Sequence, residues 1–243
     1  MWLLTLALIL SRQSVALSDL DIADNCFRKR GNEIQARSAL ERYRGIFAKI
    51  PSWPVAWRLA MAAQFVGNRI EKDSGIKKIL FEEGKTAGEY CVKSAPKEAA
   101  CHFWKAINMI LYGQTAGPFK MFFTLPTVRE HLQFVADKEP NFAYGGAFRL
   151  LGLIHQKLPG ILGGSNSVAE NYFEQAIAAA PEEPMNYLFL SKLLDEEKKH
   201  GRAITVAKLG ASLHNPTKDR FESREAHDEL VALIAEDKGN RVN

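Results

Sequence analysis

An all-α fold is predicted, a right-handed superhelical solenoid of about five helix pairs plus a C-terminal capping helix, and three features of the sequence predict it. The first is a spaced motif that occurs twice. Ala39, Tyr43, Ile46 and Pro51 stand at the same offsets as Ala169, Phe173, Ala176 and Pro181. Positions three and four apart share one helix face, a small residue lets a neighbouring helix approach, and proline ends the helix. The second feature is a set of weaker copies in between. Val128, Leu132, Val135 and Pro140 keep the offsets with apolar substitutes, and Gly84, Gly88, Cys91 and Pro96 keep them with small ones. Ala203, Ala207 and Gly210 repeat the start of the pattern before Asn215-Pro216. The third is that no stretch alternates apolar and polar residues with the period of a strand.

The helices follow in order from these marks. Residues 20–30 and 33–49 form the first pair, with the Ala39 motif on its second helix. Pro51 ends it, and the second pair covers 54–67 and 72–94, with Trp57 six residues after the proline. The third pair is read as 97–112 and 126–138, and the fourth as 141–157 and 166–180. Thr127-x-x-Glu130 and Ser167-x-x-Glu170 have the form of capping boxes and are expected to open the second helices of those pairs. The fifth pair is 183–199 and 202–213, with Tyr187 six residues after Pro181. A last amphipathic helix at about 217–237 carries Leu230, Leu233 and Ile234 and caps the stack. Small–aromatic–proline spacing of this kind resembles the tetratricopeptide repeat.

The chain is an ordinary globular one in composition, with 47% apolar and 25% charged residues. Its formal charge is +4 and basic residues are scattered, so nothing favours nucleic acid as a partner. Residues 2–10 are uniformly apolar but far too few to span a bilayer, and small residues follow at 14–18. Residues 1–18 are therefore expected to be a signal peptide, leaving 19–243 as the helical domain in the periplasm. No cysteine stands directly after the apolar run, as a lipoprotein would require. Of the three cysteines, Cys91 and Cys101 lie five residues either side of Pro96. On two antiparallel helices they would either form a disulfide or pack as two small buried residues.

Two segments interrupt the repeat, and both are apolar. Gly113–Pro126 contains Phe119, Met121, Phe122, Phe123 and Leu125; Lys157–Asn166 contains Leu158, Ile161 and Leu162. They are expected as long connections inside the third and fourth pairs. Their side chains would be buried in the core, in a groove, at a subunit contact or on a membrane. The run Leu158-Pro159-Gly160, Gly163-Gly164, Ala169, Tyr172-Phe173, Ala176, Pro181 and Tyr187 resembles the T component of TRAP transporters, the TatT-like family. Phe103-Trp104-Lys-Ala106-Ile-Asn108 resembles the same family's aromatic helix. The resemblance covers roughly residues 25–213. It implies a periplasmic accessory protein with an apolar channel, a TRAP-type solute-binding protein as partner and a trimeric assembly. The absence of an anchoring cysteine departs from that family.

No catalytic set, metal-ligand spacing or cofactor motif is legible. Gly84-Lys85-Thr86 ends like a phosphate loop, but Ile79 stands where the first glycine is required. Candidate ligand contacts are Phe103, Trp104 and Asn108 on one helix, with Phe119, Phe122, Phe123, Leu158, Ile161 and Leu162 from the interruptions. Trp104 and Asn108 would orient an amphipathic ligand, or else wedge helices and cap a backbone group. Arg149 and Gln156 share a face; Arg149 would meet an anion if that face lines a groove, and is otherwise a solvated charge. The alternative to a ligand-binding accessory is a protein–protein interaction scaffold of the cell envelope with no small ligand.

Overall fold

The computed structural model describes residues 19–213 and 220–242. The expected signal peptide lies outside them. The described residues form helices and turns without a strand, in two compact units split between His131 and Leu132. No helix among them is long and apolar enough to cross a membrane.

In the first unit, α1 covers residues 19–28, and α2 runs Glu33–Lys49 from an Asn32 cap whose Oδ1 accepts from the Gln35 amide. The α2 motif residues Ala39, Tyr43 and Ile46 are buried. Tyr43 donates to Asp24 Oδ1 at 2.6 Å, and Arg58 Nε donates to the same oxygen at 2.9 Å, which ties α1 to its neighbours. Burial, then Asp24, pushes the Tyr43 hydroxyl far above its ordinary pKa.

Helix α3, Trp53–Phe65, passes into a π turn at Val66–Ile70, and α4 is Ser74–Ser94 with Asp73 as its cap. Helix α5 is Ala99–Ala116. The α4–α5 contact is close because two glycines face it. A Cβ on Gly88 would sit 2.7 Å from Lys105 Cα, and one on Gly84 2.2 Å from Asn108 Oδ1. Cys91 and Cys101 are joined by a disulfide across the Pro96 turn, with Cα atoms 5.2 Å apart.

The first interruption is not a loop. Helix α5 continues through Gly113, Gly117 breaks it in the left-handed region at φ 105°, and α6 restarts at Pro118 and runs to Lys138. Proline suits the first turn of a helix, and Pro126 is accepted inside α6 at the loss of one backbone hydrogen bond. The Thr127-x-x-Glu130 box therefore lies within a helix rather than at its start.

The second unit begins within α6, where Leu132, Val135 and Ala136 are buried. Helix α7 is Gly146–Lys157, a 3-10 turn covers Gly160–Leu162, and α8 is Asn166–Ala179. The cap of α8 is Ser165, whose hydroxyl accepts from the Val168 amide, and not Ser167. Helices α9, Pro184–Glu196, and α10, His200–Ala211, complete the last pair. Ala169 and Phe173 of α8 pack with Leu190, Leu193, Leu194 and Ala203 in one core. Gly152 makes room for it, since a Cβ there would meet the Phe173 ring at 2.5 Å. The terminal helix α11, Phe221–Val242, seats Ala226 and Leu230 on Leu188 and Ala207.

Candidate functional site

In the first unit the expected ligand contacts divide. Phe103 is buried and meets the Trp104 ring edge-on at 5.1 Å. Asn108 is wholly inaccessible, and its Nδ2 donates to the carbonyls of Ala60 at 2.9 Å and Trp104 at 2.8 Å. Its amide thus bonds α5 to α3. Phe122 and Phe123 instead face outward, 48% and 74% exposed, with their rings 5.6 Å apart. The side chain of Phe119 lies outside the described residues.

In the second unit Arg149 is turned inward. Its guanidinium donates to the carbonyl oxygens of Ala143 and Tyr144 and to Asn186 Oδ1. Asn186 is itself buried and donates to the Ala176 and Ala180 carbonyls at 2.8 and 2.9 Å. Loss of water pushes the Arg149 pKa down to about 10, with Glu183 opposing the shift and Arg220 adding to it. Gln156 donates to Glu196 at the surface. Leu158 is half-buried at the end of α7, while Ile161 and Leu162 are 93% and 42% exposed.

Two groupings were not apparent in the sequence. The first is a histidine pair at the start of α5 and within α6. His102 Nδ1 lies 2.8 Å from His131 Nδ1, and His102 Nε2 lies 3.0 Å from the Pro96 carbonyl. A carbonyl only accepts, so His102 carries its proton on Nε2 and its Nδ1 must accept from His131 Nδ1–H. That leaves His131 Nε2 without a proton, buried and without a hydrogen-bond partner. Burial, then Lys105 and His102, push the His131 pKa down to about 4. The residues are 29 apart in sequence, and the only signal for them was their expected place on one helix hairpin.

The second grouping surrounds Glu183, the cap of α9. Its buried carboxylate accepts from Arg220 at 2.7 Å, Ser223 at 2.8 Å and the Met185 amide at 3.1 Å. The Arg220 guanidinium stacks 3.3 Å from the centre of the Tyr144 ring. Ala143, Tyr144 and Gly145 are successive residues in the left-handed region, at φ 47°, 57° and 75°. Two of them bear side chains, a conformation that is costly, and Arg149 holds the carbonyls of both. A Cβ at Gly145 would lie 2.8 Å from the Ala176 carbonyl oxygen, so this third position requires glycine.

Among the described residues no three His, Cys, Asp or Glu side chains are grouped to hold a metal. Comparison with known proteins adds the family. The family model of regulator of microtubule dynamics protein 1-3 matches residues 19–152, more than half of the chain. The chain belongs to that family. The part matched to the regulator of microtubule dynamics family runs from α1 into α7 and includes the disulfide and the histidine pair. The chain is also similar to the crystal structure of TTC0263, a thermophilic tetratricopeptide protein of Thermus thermophilus. The TM-score is 0.67 at 15% identity, over 89% of this chain and 99% of that one. At that identity the likeness shows the fold, a tetratricopeptide-type helical repeat. A structure of MamA protein aligns at a TM-score of 0.49 and 14% identity, over 80% of this chain and 89% of that one. No curated protein matches.

Proposed function

We propose that this member of the regulator of microtubule dynamics family is a protein–protein interaction scaffold. The observation that carries the reading is the outward-facing pair Phe122–Phe123 on a tetratricopeptide-type repeat. Two exposed aromatic rings in contact are an apolar anchor of the kind partner proteins cover, and aromatic residues are enriched at the centres of such contacts. Of the polar candidates for a small ligand, Asn108 gives its amide hydrogens to the Ala60 and Trp104 carbonyls, with its Oδ1 buried and without a partner, and Arg149 donates to the Ala143 and Tyr144 carbonyls and to Asn186. That favours a scaffold over a ligand channel. The family name attaches microtubule dynamics to its members, and microtubules are accordingly one partner to test.

A second reading, an exported accessory of TRAP type that meets a solute-binding protein, is favoured by the exposed Ile161 and Leu162. They sit in the segment whose sequence resembles that family.

The test is capture by the purified chain from its own cell extract under mild crosslinking, with mass spectrometry, and with co-sedimentation on polymerised tubulin. Phe122→Ser/Phe123→Ser is the comparison. Discrete partners that are lost with the double variant support the scaffold. Enrichment of a TRAP-type solute-binding protein selects the second reading. Failure of the wild-type chain to retain any protein refutes both.

A further inference from the structure

The Cys91–Cys101 bridge and the His102–His131 pair share one turn. Residues 95–98 connect α4 to α5; Pro96 and Lys97 are exposed there, and the two bridged cysteines are wholly buried. His102 follows Cys101 directly, and its Nε2–H donates back to the Pro96 carbonyl at 3.0 Å. The loop that the disulfide closes is thus closed a second time by His102. Nδ1 of the same ring accepts from His131 of α6 at 2.8 Å. One covalent bond and two hydrogen bonds therefore join the end of α4, the first turn of α5 and α6 in series.

Around the bridge pack Ala56, Phe47, Trp53, Trp57 and Tyr90. Interiors are packed as densely as organic crystals, so a change in the sulfur positions is passed to their neighbours. Reduction makes such a change. The bridge takes up two electrons and two protons from a dithiol, which closes to its own disulfide, and two thiols are left. They must stand at van der Waals separation instead of bonded. The reduced form finds an acceptor in place, since the Trp53 carbonyl lies 3.4 Å from Cys91 Sγ. Cys101 has to give way, and His102 moves with it. The two hydrogen bonds of His102 tolerate only a few tenths of an ångström of such movement.

We infer that the disulfide is a redox gate on proton uptake by the histidine pair. Closed, it keeps the pair neutral into mildly acidic solution; opened, it lets the pair take a proton at higher pH. The groups that act on His131 are His102 and Lys105 of α5, both opposing a further positive charge, and its own Nε2 is buried without a partner. Lys105 answers in turn to Glu89 and Lys85 of α4, and the turn adds Lys97 and Glu98. Burial is the largest influence on His131, and it is the one that a loosened turn relieves. Thiols titrate near about 8.5 and add nothing in the acid range. Helix α6 also carries Phe122 and Phe123, so the gate acts on the helix that the scaffold reading uses, but it does not depend on that reading.

The experiment is an NMR titration of the imidazole nitrogens in the nitrogen-15-labelled full chain, with the bridge intact and after dithiothreitol. The midpoint of the His102–His131 pair is expected to rise by about one pKa unit on reduction, a tenfold gain in proton affinity. His155 and His200, in the second unit, are expected to keep theirs. Cys91→Ala/Cys101→Ala, which has no thiols, should titrate as the reduced chain does. Circular dichroism at pH 7 checks that both remain helical. Thermal unfolding gives a second readout: the acid loss of wild type in excess of His131→Asn should shrink on reduction. A folded-state pKa nearer 6.5 leaves less stability to lose between the folded and unfolded values. An unchanged midpoint, an equal shift at His155 or His200, or a reduced chain that has lost its helices at pH 7 overturns the inference. None of those results touches the scaffold reading, which stands or falls on whether the unaltered chain retains proteins from its own extract.

Discussion

Lowering the pH should loosen the first unit through one imidazole. His131 has an ordinary pKa of 6.5 and is held down to about 4 in the folded chain. Folding therefore favours its neutral form. Above pH 6.5 both folded and unfolded chains leave the ring neutral, and its full contribution to stability is present. As the pH falls from 6.5 towards 4 the unfolded chain takes up a proton that the folded chain refuses, so stability is lost across that window. The gap corresponds to about 3 kcal/mol at about 1.4 kcal/mol per pKa unit. The ring keeps part of its surface in water, and screening reduces the expected effect to about 1–2 kcal/mol. His131→Asn is the informative substitution, because its side-chain amide still donates to His102 Nδ1 but does not titrate. Thermal unfolding followed by circular dichroism at pH 7 and pH 4.5 should show a steeper acid loss in the wild type. The excess should be a few degrees, at about 2–4 °C per kcal/mol for a chain of this size. Subtracting the variant removes the carboxylate contributions common to both. Equal losses in wild type and variant, or an imidazole titration midpoint near 6.5 by NMR, would refute the role assigned to burial here.

Other outcomes follow from contacts already described. Replacing Cys91 and Cys101 by serine releases a loop with a sequence separation of 10. Denaturant unfolding should register a loss of about 2–3 kcal/mol, and reductant should destabilise only the wild type. Gly84→Ala places a methyl group against the Asn108 amide and should cost about 1–3 kcal/mol. Pairing it with Asn108→Ala in a double-mutant cycle should show non-additivity, because the two side chains contest one space. Glu183→Gln removes the counter-charge of Arg220 and should cost about 3 kcal/mol in thermal or denaturant unfolding. Neutral behaviour would mean that Ser223 and the Met185 amide suffice to hold that position.

The helix pairs were legible because their determinants are local. Ala39, Tyr43 and Ile46, like Ala169, Phe173 and Ala176, are buried on the faces their spacing defines. The stretch from 113 to 126 was not legible in the same way. Gly117, Pro118 and Pro126 read as breakers one by one, but only Gly117 breaks anything, and the others occupy helical positions. The candidate site depended on which way each helix face turns, and those turns are decided by distant partners. Arg149 is drawn inward by Asn186, 37 residues away, and His102 meets His131 across 29. Ile161 and Leu162 looked like residues seeking cover, yet the short 3-10 turn carries them outward.

The Glu183 cluster also limits how this repeat could be shortened. A tetratricopeptide array is commonly treated as modular, each pair removable from the end like a bead. Here the last helix and the residue before it supply Ser223 and Arg220 to a carboxylate that caps α9, and Arg220 in turn covers the left-handed turn leading into α7. Cutting the chain after α10 would strand a buried anion and bare Tyr144 together, so the C-terminal helix behaves as a keystone and the second unit folds or fails as one piece.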